Sequence, residues 1–191
     1  SLDATLQHLS LRLPSWTAPE GEGVEALVRQ LVPSAPPVLA FAGGTLELAR
    51  FIRALEARSL TRYVVSLADA DLGLLMQLGA TRAMPLVLTQ IVPNPRSTSV
   101  PLVRRYREQY ALLYDDSPSP AGLAGYLAGR YLLRLLERTA GNPSRAALAD
   151  EVRRRPDADI EGHALRFGNG RQRGSSFVTQ TMITKDGRLI G

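Results

Sequence analysis

The sequence has 191 residues, of which 45% are hydrophobic and 21% charged, and it contains no cysteine. This length suffices for one large domain or two small lobes, the composition is that of a globular protein, and disulfides and thiol catalysis are excluded. The net charge is +5. Because the excess arginines are spread over several predicted helices, solvated helix surfaces are favoured over a nucleic-acid interface.

The spacing of apolar residues predicts alternating helices and strands in the first half of the chain. Helices are predicted over 2–9, 23–32, 46–58 and 71–78, and strands over 11–16, 37–41, 63–67 and 86–92. Continuous apolar strands that alternate with helices are typical of a parallel sheet covered on both faces. The predicted fold class is therefore α/β.

The pattern changes after Pro95, where helices follow one another. They are predicted over 99–114, 121–139 and 144–154, with Ser99, Ser119 and Ser144 at or near their N-caps. Two strands are predicted near the end, over 164–167 and 177–184, and the turn signal Lys185-Asp186-Gly187 follows them. This tail predicts a terminal β-hairpin.

Two loops that follow predicted strands carry the candidate ligand contacts. Gly43-Gly44-Thr45 opens a helix, whose N-terminal N–H groups suit an anion, although a plain strand–helix turn also uses glycines. After the next strand, Asp71 is best placed to cap the following helix, whereas Asp69 is the better candidate to bind a ligand ammonium. Gly43–Thr45 does not distinguish a ligand edge from a simple turn.

Motifs for catalysis are missing from the sequence. The motifs G-x-S-x-G and S-x-x-K do not occur, and neither histidine, His8 or His163, has a nucleophile or metal-ligand neighbour at the required spacing. We therefore expect a chain that is not an enzyme and binds neither a metal nor a cofactor.

The order of five segments resembles a known family. They are ALAFAGGTLELARFIRALEARSL, YVVSLADADL, VLTQIVPNP, PAGLAGYLAGRYLLRLLERTAG and LRFGNGRQRGSSFVTQTMITKDGRLIG. Together they resemble type I periplasmic binding proteins, and more narrowly the branched-chain amino acid (Leu/Ile/Val) solute-binding family of ABC importers. The resemblance implies two α/β lobes, each with a Rossmann-like parallel sheet flanked by helices, that close on a ligand across a cleft.

The resemblance also implies a domain organisation. Residues 1–91 would form a second-lobe α/β unit, 92–98 an interlobe crossing, 99–160 helices returning to the first lobe, and 161–191 the final crossing and terminal strands. Because family members are considerably longer, we expect a C-terminal fragment that lacks much of the first lobe. An unpaired strand edge would then invite a homodimer.

The implied function is to capture a small amino-acid-like ligand for an ABC transporter permease, in the periplasm, although Ser1-Leu2-Asp3 opens no signal peptide. The family's second-lobe contacts correspond to Phe41, Gly43, Gly44, Thr45, Ala68 and Asp69. Two departures leave an amide or an aromatic acid open as ligand: Gly44 or Thr45 stands where relatives place an aromatic residue, and Ala68 where a glutamate can stand. The alternatives are a ligand-sensing regulatory domain of the same fold and a Rossmann-like enzyme domain.

Overall fold

The structure is a computed structural model of the chain. It describes residues 13–18, 22–34, 36–67, 70–80, 84–97, 99–139, 141, 143–168, 171, 173–184 and 189–190. The helix predicted over 2–9 and the turn predicted at 185–187 lie outside the described residues. Of the strand predicted over 11–16, the described part forms no strand.

The chain divides into two compact units. Unit one contains the described residues up to Leu88 and again from Met182 to Ile190, and unit two contains those from Thr89 to Thr181. The elements of the first half are α1 Val24–Leu31, β1 Val38–Phe41, α2 Thr45–Glu56, β2 Tyr63–Ser66, α3 Leu72–Gln77 and β3 Leu86–Gln90. The later elements are α4 Pro101–Tyr110, α5 Pro120–Arg138, α6 Arg145–Arg154, β4 Asp157–Ile160, β5 His163–Arg166, β6 Thr179–Ile183 and β7 Leu189–Ile190.

A five-stranded sheet with the order β1-β2-β3-β6-β7 forms the framework of unit one. Strands β1, β2 and β3 run parallel, with Phe41 beside Ser66 and Ser66 beside Leu88. Strands β6 and β7 pair antiparallel, as a terminal hairpin requires. The α/β class with a sheet rich in parallel pairs is thus confirmed.

The helices of unit one bury the residues that their spacing marks as apolar. In α2, Leu48, Ile52 and Leu55 recur at steps of four and three, and all three are fully buried against the sheet core. The strands behave differently from the prediction, because burial alternates along β1 and β2. Val38 and Tyr63 are 54% and 51% exposed, so the prediction that both faces of the sheet are covered is wrong for these strands.

Unit two begins its helices with side-chain caps that the sequence predicts. Ser119 Oγ accepts a hydrogen bond from Gly122 N at 3.0 Å, and Ser144 Oγ accepts one from Ala147 N at 3.1 Å. Each bond satisfies one of the N–H groups that the first turn of a helix leaves without a partner. No helix in the described part of the chain combines the length and the apolar character needed to cross a membrane.

The start of α4 corrects one prediction. The N-cap is Val100, and Ser99 Oγ lies instead 2.9 Å from Ser97 Oγ. The N–H of Leu102 is satisfied from elsewhere, since it donates to the carbonyl of Glu161 at 3.1 Å. A carbonyl from a distant turn thus replaces the local cap, and α4 ends at Tyr110, earlier than predicted.

That distant turn belongs to a hairpin that the sequence analysis missed in part. Strand β4 pairs antiparallel with β5 through a two-residue turn, in which Glu161 and Gly162 have φ values of 55° and 89°. The left-handed conformation costs a non-glycine residue about 1 kcal/mol, so Glu161 must be held by its contacts. The core of unit two forms where this hairpin packs against α4 and α5.

Candidate functional site

The candidate site lies where β1 and β2 end. Because these strands are parallel and Phe41 pairs with Ser66, the loops that follow them leave the same edge of the sheet. Ligands of open parallel sheets bind at this kind of edge. The loop after β1 contains Gly43 and Gly44, and the loop after β2 leads to Asp71.

A hydrogen bond ties the two loops together. The backbone N–H of Asp71 donates to Thr45 Oγ1 at 3.0 Å, across a sequence separation of 26 residues. The side chain of Asp71 also caps α3, since its Oδ1 accepts from Leu74 N at 3.1 Å. The capping role predicted for Asp71 is confirmed, and Thr45 acquires a structural role that the sequence did not predict.

The two glycines differ in what an added side chain would meet. A Cβ added to Gly43 would lie 2.8 Å from a ring carbon of Phe41, and that ring is buried. A Cβ on Gly44 would meet only the carboxylate end of the exposed Glu47, at 2.6 Å, and Gly44 itself has an ordinary φ of −72°. Gly43 is therefore needed for packing, whereas Gly44 presents accessible backbone.

The N-terminus of α2 has an electrostatic character that bears on the ligand. No side chain caps this helix, and Glu47 is the acidic residue of its first turn. A carboxylate there offsets the positive end of the helix dipole and repels a second anion. The arrangement disfavours the anionic ligand that the loop sequence allows and favours a positively charged group near Gly44.

Phe41 contributes its ring to the core. Its side chain stacks at a tilt against Phe51, with ring centroids 5.0 Å apart, and only 7% of the residue is exposed. Ala68 and Asp69 lie outside the described residues, so their contact with a ligand stays a prediction. The residues before them are a fully buried Ser66 and a half-exposed Leu67.

Gln90 is a polar residue that the sequence analysis did not single out. It is the last residue of β3, only 7% of it is exposed, and its buried Oε1 has no hydrogen-bond partner among the described residues. Buried amide oxygens are nearly always satisfied. The sequence does contain a signal for Gln90, because it is a polar residue at an inward position of the mostly apolar strand β3.

A cavity of about 600 Å³ lies at the surface between α4 and the segment that connects α4 to α5. There Tyr110 donates its hydroxyl hydrogen to Asp116 Oδ1 at 2.6 Å, and this bond is the main reason why the pKa of Tyr110 rises to about 12. Arg104, Arg107, Glu108 and Asp115 line the same cavity. Since charges of both signs are mixed there, the lining selects no class of ligand. Neither in this cavity nor in the rest of the described residues do three acidic or histidine side chains gather as a metal site would need.

The chain belongs to the periplasmic binding protein family, whose sequence pattern it matches over residues 7–188. This confirms the resemblance seen in its sequence motifs. Comparison with curated proteins gives no match.

Solved structures show the same fold. A possible leucine/isoleucine/valine-binding protein from Rhodopirellula baltica is 24% identical, with a TM-score of 0.79. The match covers 100% of this chain and 54% of that protein. A leucine binding protein from Thermotoga maritima is 20% identical, with a TM-score of 0.72, and the match covers 98% of this chain and 53% of that protein. A fatty acid ABC transporter substrate-binding protein from Thermomonospora curvata is 15% identical, with a TM-score of 0.74, and the match covers 98% of this chain and 51% of that protein.

The chain thus spans about half the length of these solved relatives. The relatives are binding proteins, which agrees with the expectation that this chain is not an enzyme. Their names include amino acids and fatty acids, so the shared fold does not by itself select a ligand.

Proposed function

We propose that the chain is part of the extracytoplasmic solute-binding component of an ABC importer, which captures a small amino-acid-like ligand and delivers it to a permease. Family membership carries this proposal. Support for an amino acid comes from two solved relatives named for leucine and for leucine/isoleucine/valine, together with the acidic Glu47 at the candidate site.

The proposed contacts are the residues at the ends of β1 and β2. Gly44 offers accessible backbone, Thr45 a hydroxyl hydrogen, and Asp69 a carboxylate; Gly43 and Phe41 shape the loop, and Ala68 leaves room beside Asp69. With Glu47 also acidic, this edge suits the ammonium end of a zwitterion. The carboxylate and side chain of the ligand would be held elsewhere in the whole protein.

Native mass spectrometry of the whole protein that contains this chain tests the proposal first. We expect an added mass of amino-acid size that is retained in Asp115→Asn, an exposed carboxylate in the α4–α5 connection, and lost in Asp69→Asn. Loss of a charge-assisted hydrogen bond weakens binding by roughly 10- to 100-fold.

A thermal-shift series with leucine, isoleucine, valine, phenylalanine, glutamine and a soluble fatty acid then identifies the ligand class. Stabilisation by amino acids and not by the fatty acid is the expected result. Equal binding by Asp69→Asn would remove that carboxylate from the site. Stabilisation by the fatty acid alone would contradict the proposed ligand.

A further inference from the structure

The segment that joins β5 to β6 lies against the β4–β5 hairpin as irregular chain. We call residues 173–178 the strap; all six are described, and none belongs to a helix or a strand. The first attachment of the strap is Gly174, whose carbonyl accepts a hydrogen bond from the N–H of Arg166. A Cβ built on Gly174 would overlap the ring of Phe167. The strap therefore passes over that ring at close range.

The second attachment of the strap is made at His163 on β5. The Nε2 atom of His163 lies 3.2 Å from Ser175 Oγ, and the same oxygen accepts a hydrogen bond from the N–H of Phe177 at 3.0 Å. The rings of Phe177 and His163 are in contact, with centroids 5.5 Å apart. His163 is only 5% exposed. A hydroxyl group and an aromatic ring of the strap thus help to cover the imidazole.

Protonation acts differently on the two attachments. Gly174 is held by a backbone hydrogen bond and by contact with a ring, and these groups are uncharged. The imidazole of His163 gains a charge, which costs free energy at a buried position because the charge loses its contact with water. Strand β5 is fixed, since all four of its residues pair with β4 and Leu165 packs in the core of unit two. The strap is therefore the part that yields.

The charges around His163 leave this effect in place. The charged side chains on the hairpin, the strap and the adjacent helices are Asp159, Glu161, Arg166, Arg173, Arg105 and Arg130. Glu161 is paired with both helix arginines, and the arginines of β5 and the strap are exposed. The charge of Asp159 raises the pKa of His163, but burial outweighs it and holds that pKa below the ordinary 6.5.

From this geometry we propose that His163 and the strap form an acid-operated latch, in which neutral His163 holds residues 175–178 and protonated His163 releases them. Gly174 keeps its place in both states. Because the held state has the lower pKa, the latch is closed above pH 6.5 and opens as the pH falls from there.

The position of the strap gives the latch its consequence. The strap leads directly into β6, in which the chain passes from unit two back to unit one between Thr181 and Met182. Acid therefore lengthens the unattached chain before that passage. The proposal does not depend on ligand capture.

Hydrogen exchange in the whole protein that contains this chain tests the latch. Between pH 7.5 and 5, the protection of the Phe177 amide, corrected for the intrinsic effect of pH, should fall by at least about threefold. The amide of Arg166, which donates to Gly174, should keep its protection and serves as an internal control. Equal loss at both amides would mean that the hairpin opens as a whole, and would overturn the proposal.

Two variants assign the effect to one side chain. His163→Gln takes up no proton in this range, so the protection of the Phe177 amide should no longer depend on pH. His8→Gln is the matched control at the other histidine of the sequence and should leave the dependence in place. A dependence that survives in His163→Gln would assign it to another group and refute the latch.

The effect of the strap on the proton gives an independent test, because the coupling of the two is reciprocal. Phe177→Ala uncovers one side of the imidazole and should raise the pKa of His163 towards 6.5 in an NMR titration. Val178→Ala shortens the next side chain, which is 64% exposed, and should leave that pKa unchanged. If Phe177→Ala also leaves the pKa unchanged, the strap does not cover His163 and the proposal is wrong.

Discussion

Among the residues that the structure describes, unit one gathers its core around a five-stranded sheet, whereas unit two packs a two-stranded hairpin against helices. The sheet of unit one supplies alternate buried positions from β1, β2, β3 and β6. In unit two the buried apolar positions come mainly from α4 and α5. A helix that packs on a small hairpin keeps part of its surface exposed, and in α5 the exposed positions include Leu132 and Leu133.

The two cores also differ in chemistry. Unit one is mostly aliphatic, while unit two contains tyrosines whose rings contact one another, such as Tyr106 and Tyr126 with centroids 5.5 Å apart. Burial raises the pKa of both hydroxyls. Tyrosine combines an apolar ring with a polar end, so the core of unit two tolerates partial contact with water better than that of unit one.

The largest expected effects separate the two units. Ile52→Ala in α2 and Leu123→Ala in α5 each empty a fully buried position and should lower the free energy of unfolding by about 2–5 kcal/mol. Hydrogen exchange resolved by residue should show lower protection of backbone amides in unit one for Ile52→Ala and in unit two for Leu123→Ala. Equal loss throughout the chain for either variant would mean that the units unfold as one.

A smaller effect tests what holds the hairpin turn of unit two. The side chain of Glu161 is 15% exposed and pairs with Arg130 at 3.0 Å and Arg105 at 4.0 Å. Glu161→Gln should lower the stability of unit two by about 1–3 kcal/mol, because Arg130 loses its charged partner. The matched control is Asp150→Asn, which breaks an exposed pair with Arg153 and should cost under about 1 kcal/mol. Urea unfolding measures the loss of stability in both variants. Equal losses would mean that the ion pairs of Glu161 do not stabilise the turn more than an exposed surface pair does.

The smallest effect is a pH dependence confined to unit two. His163 is buried beside Ser175, with Nε2 and Oγ 3.2 Å apart, and burial lowers its pKa below the ordinary 6.5 while the charge of Asp159 opposes the shift. The folded state thus favours neutral His163. Its contribution to stability is complete above pH 6.5 and is lost as the pH falls from there towards the lowered pKa, by at most about 1.4 kcal/mol per pH unit.

Thermal unfolding between pH 7.5 and 5 checks that sign. His163→Gln should flatten the dependence in unit two and leave unit one unchanged. A stability that rises on acidification through this range would contradict the assignment.

Local signals in the sequence predicted much of the fold. Ser119, Ser144 and Asp71 cap their helices as predicted, because a cap depends on residues three positions apart. The prediction of Ser99 as an N-cap was wrong, because the N–H of Leu102 donates instead to the carbonyl of Glu161, which lies far along the chain. Strand β4 was missed because Asp157–Ile160 has little strand propensity and becomes a strand by pairing with β5.

The candidate site was predictable only in outline. The parallel strands fix which loops share an edge, and their apolar runs can be read from the sequence. The hydrogen bond from Asp71 N to Thr45 Oγ1 could not be predicted from the sequence, since it joins loops that only the folded sheet brings together. The same holds for the lack of space for a side chain at Gly43, which arises because the Phe41 ring lies beside it in the folded structure.

The position of Ile183 has a consequence for synthesis. This fully buried residue of β6 belongs to the core of unit one, yet all of unit two precedes it in the chain. A chain that emerges from its N-terminus therefore exposes part of the core of unit one until the whole of unit two has emerged. Unit two, encoded as an internal segment, can acquire its structure first. Folding order would then reverse sequence order, and unit one, with the longest loop to close, would set the rate.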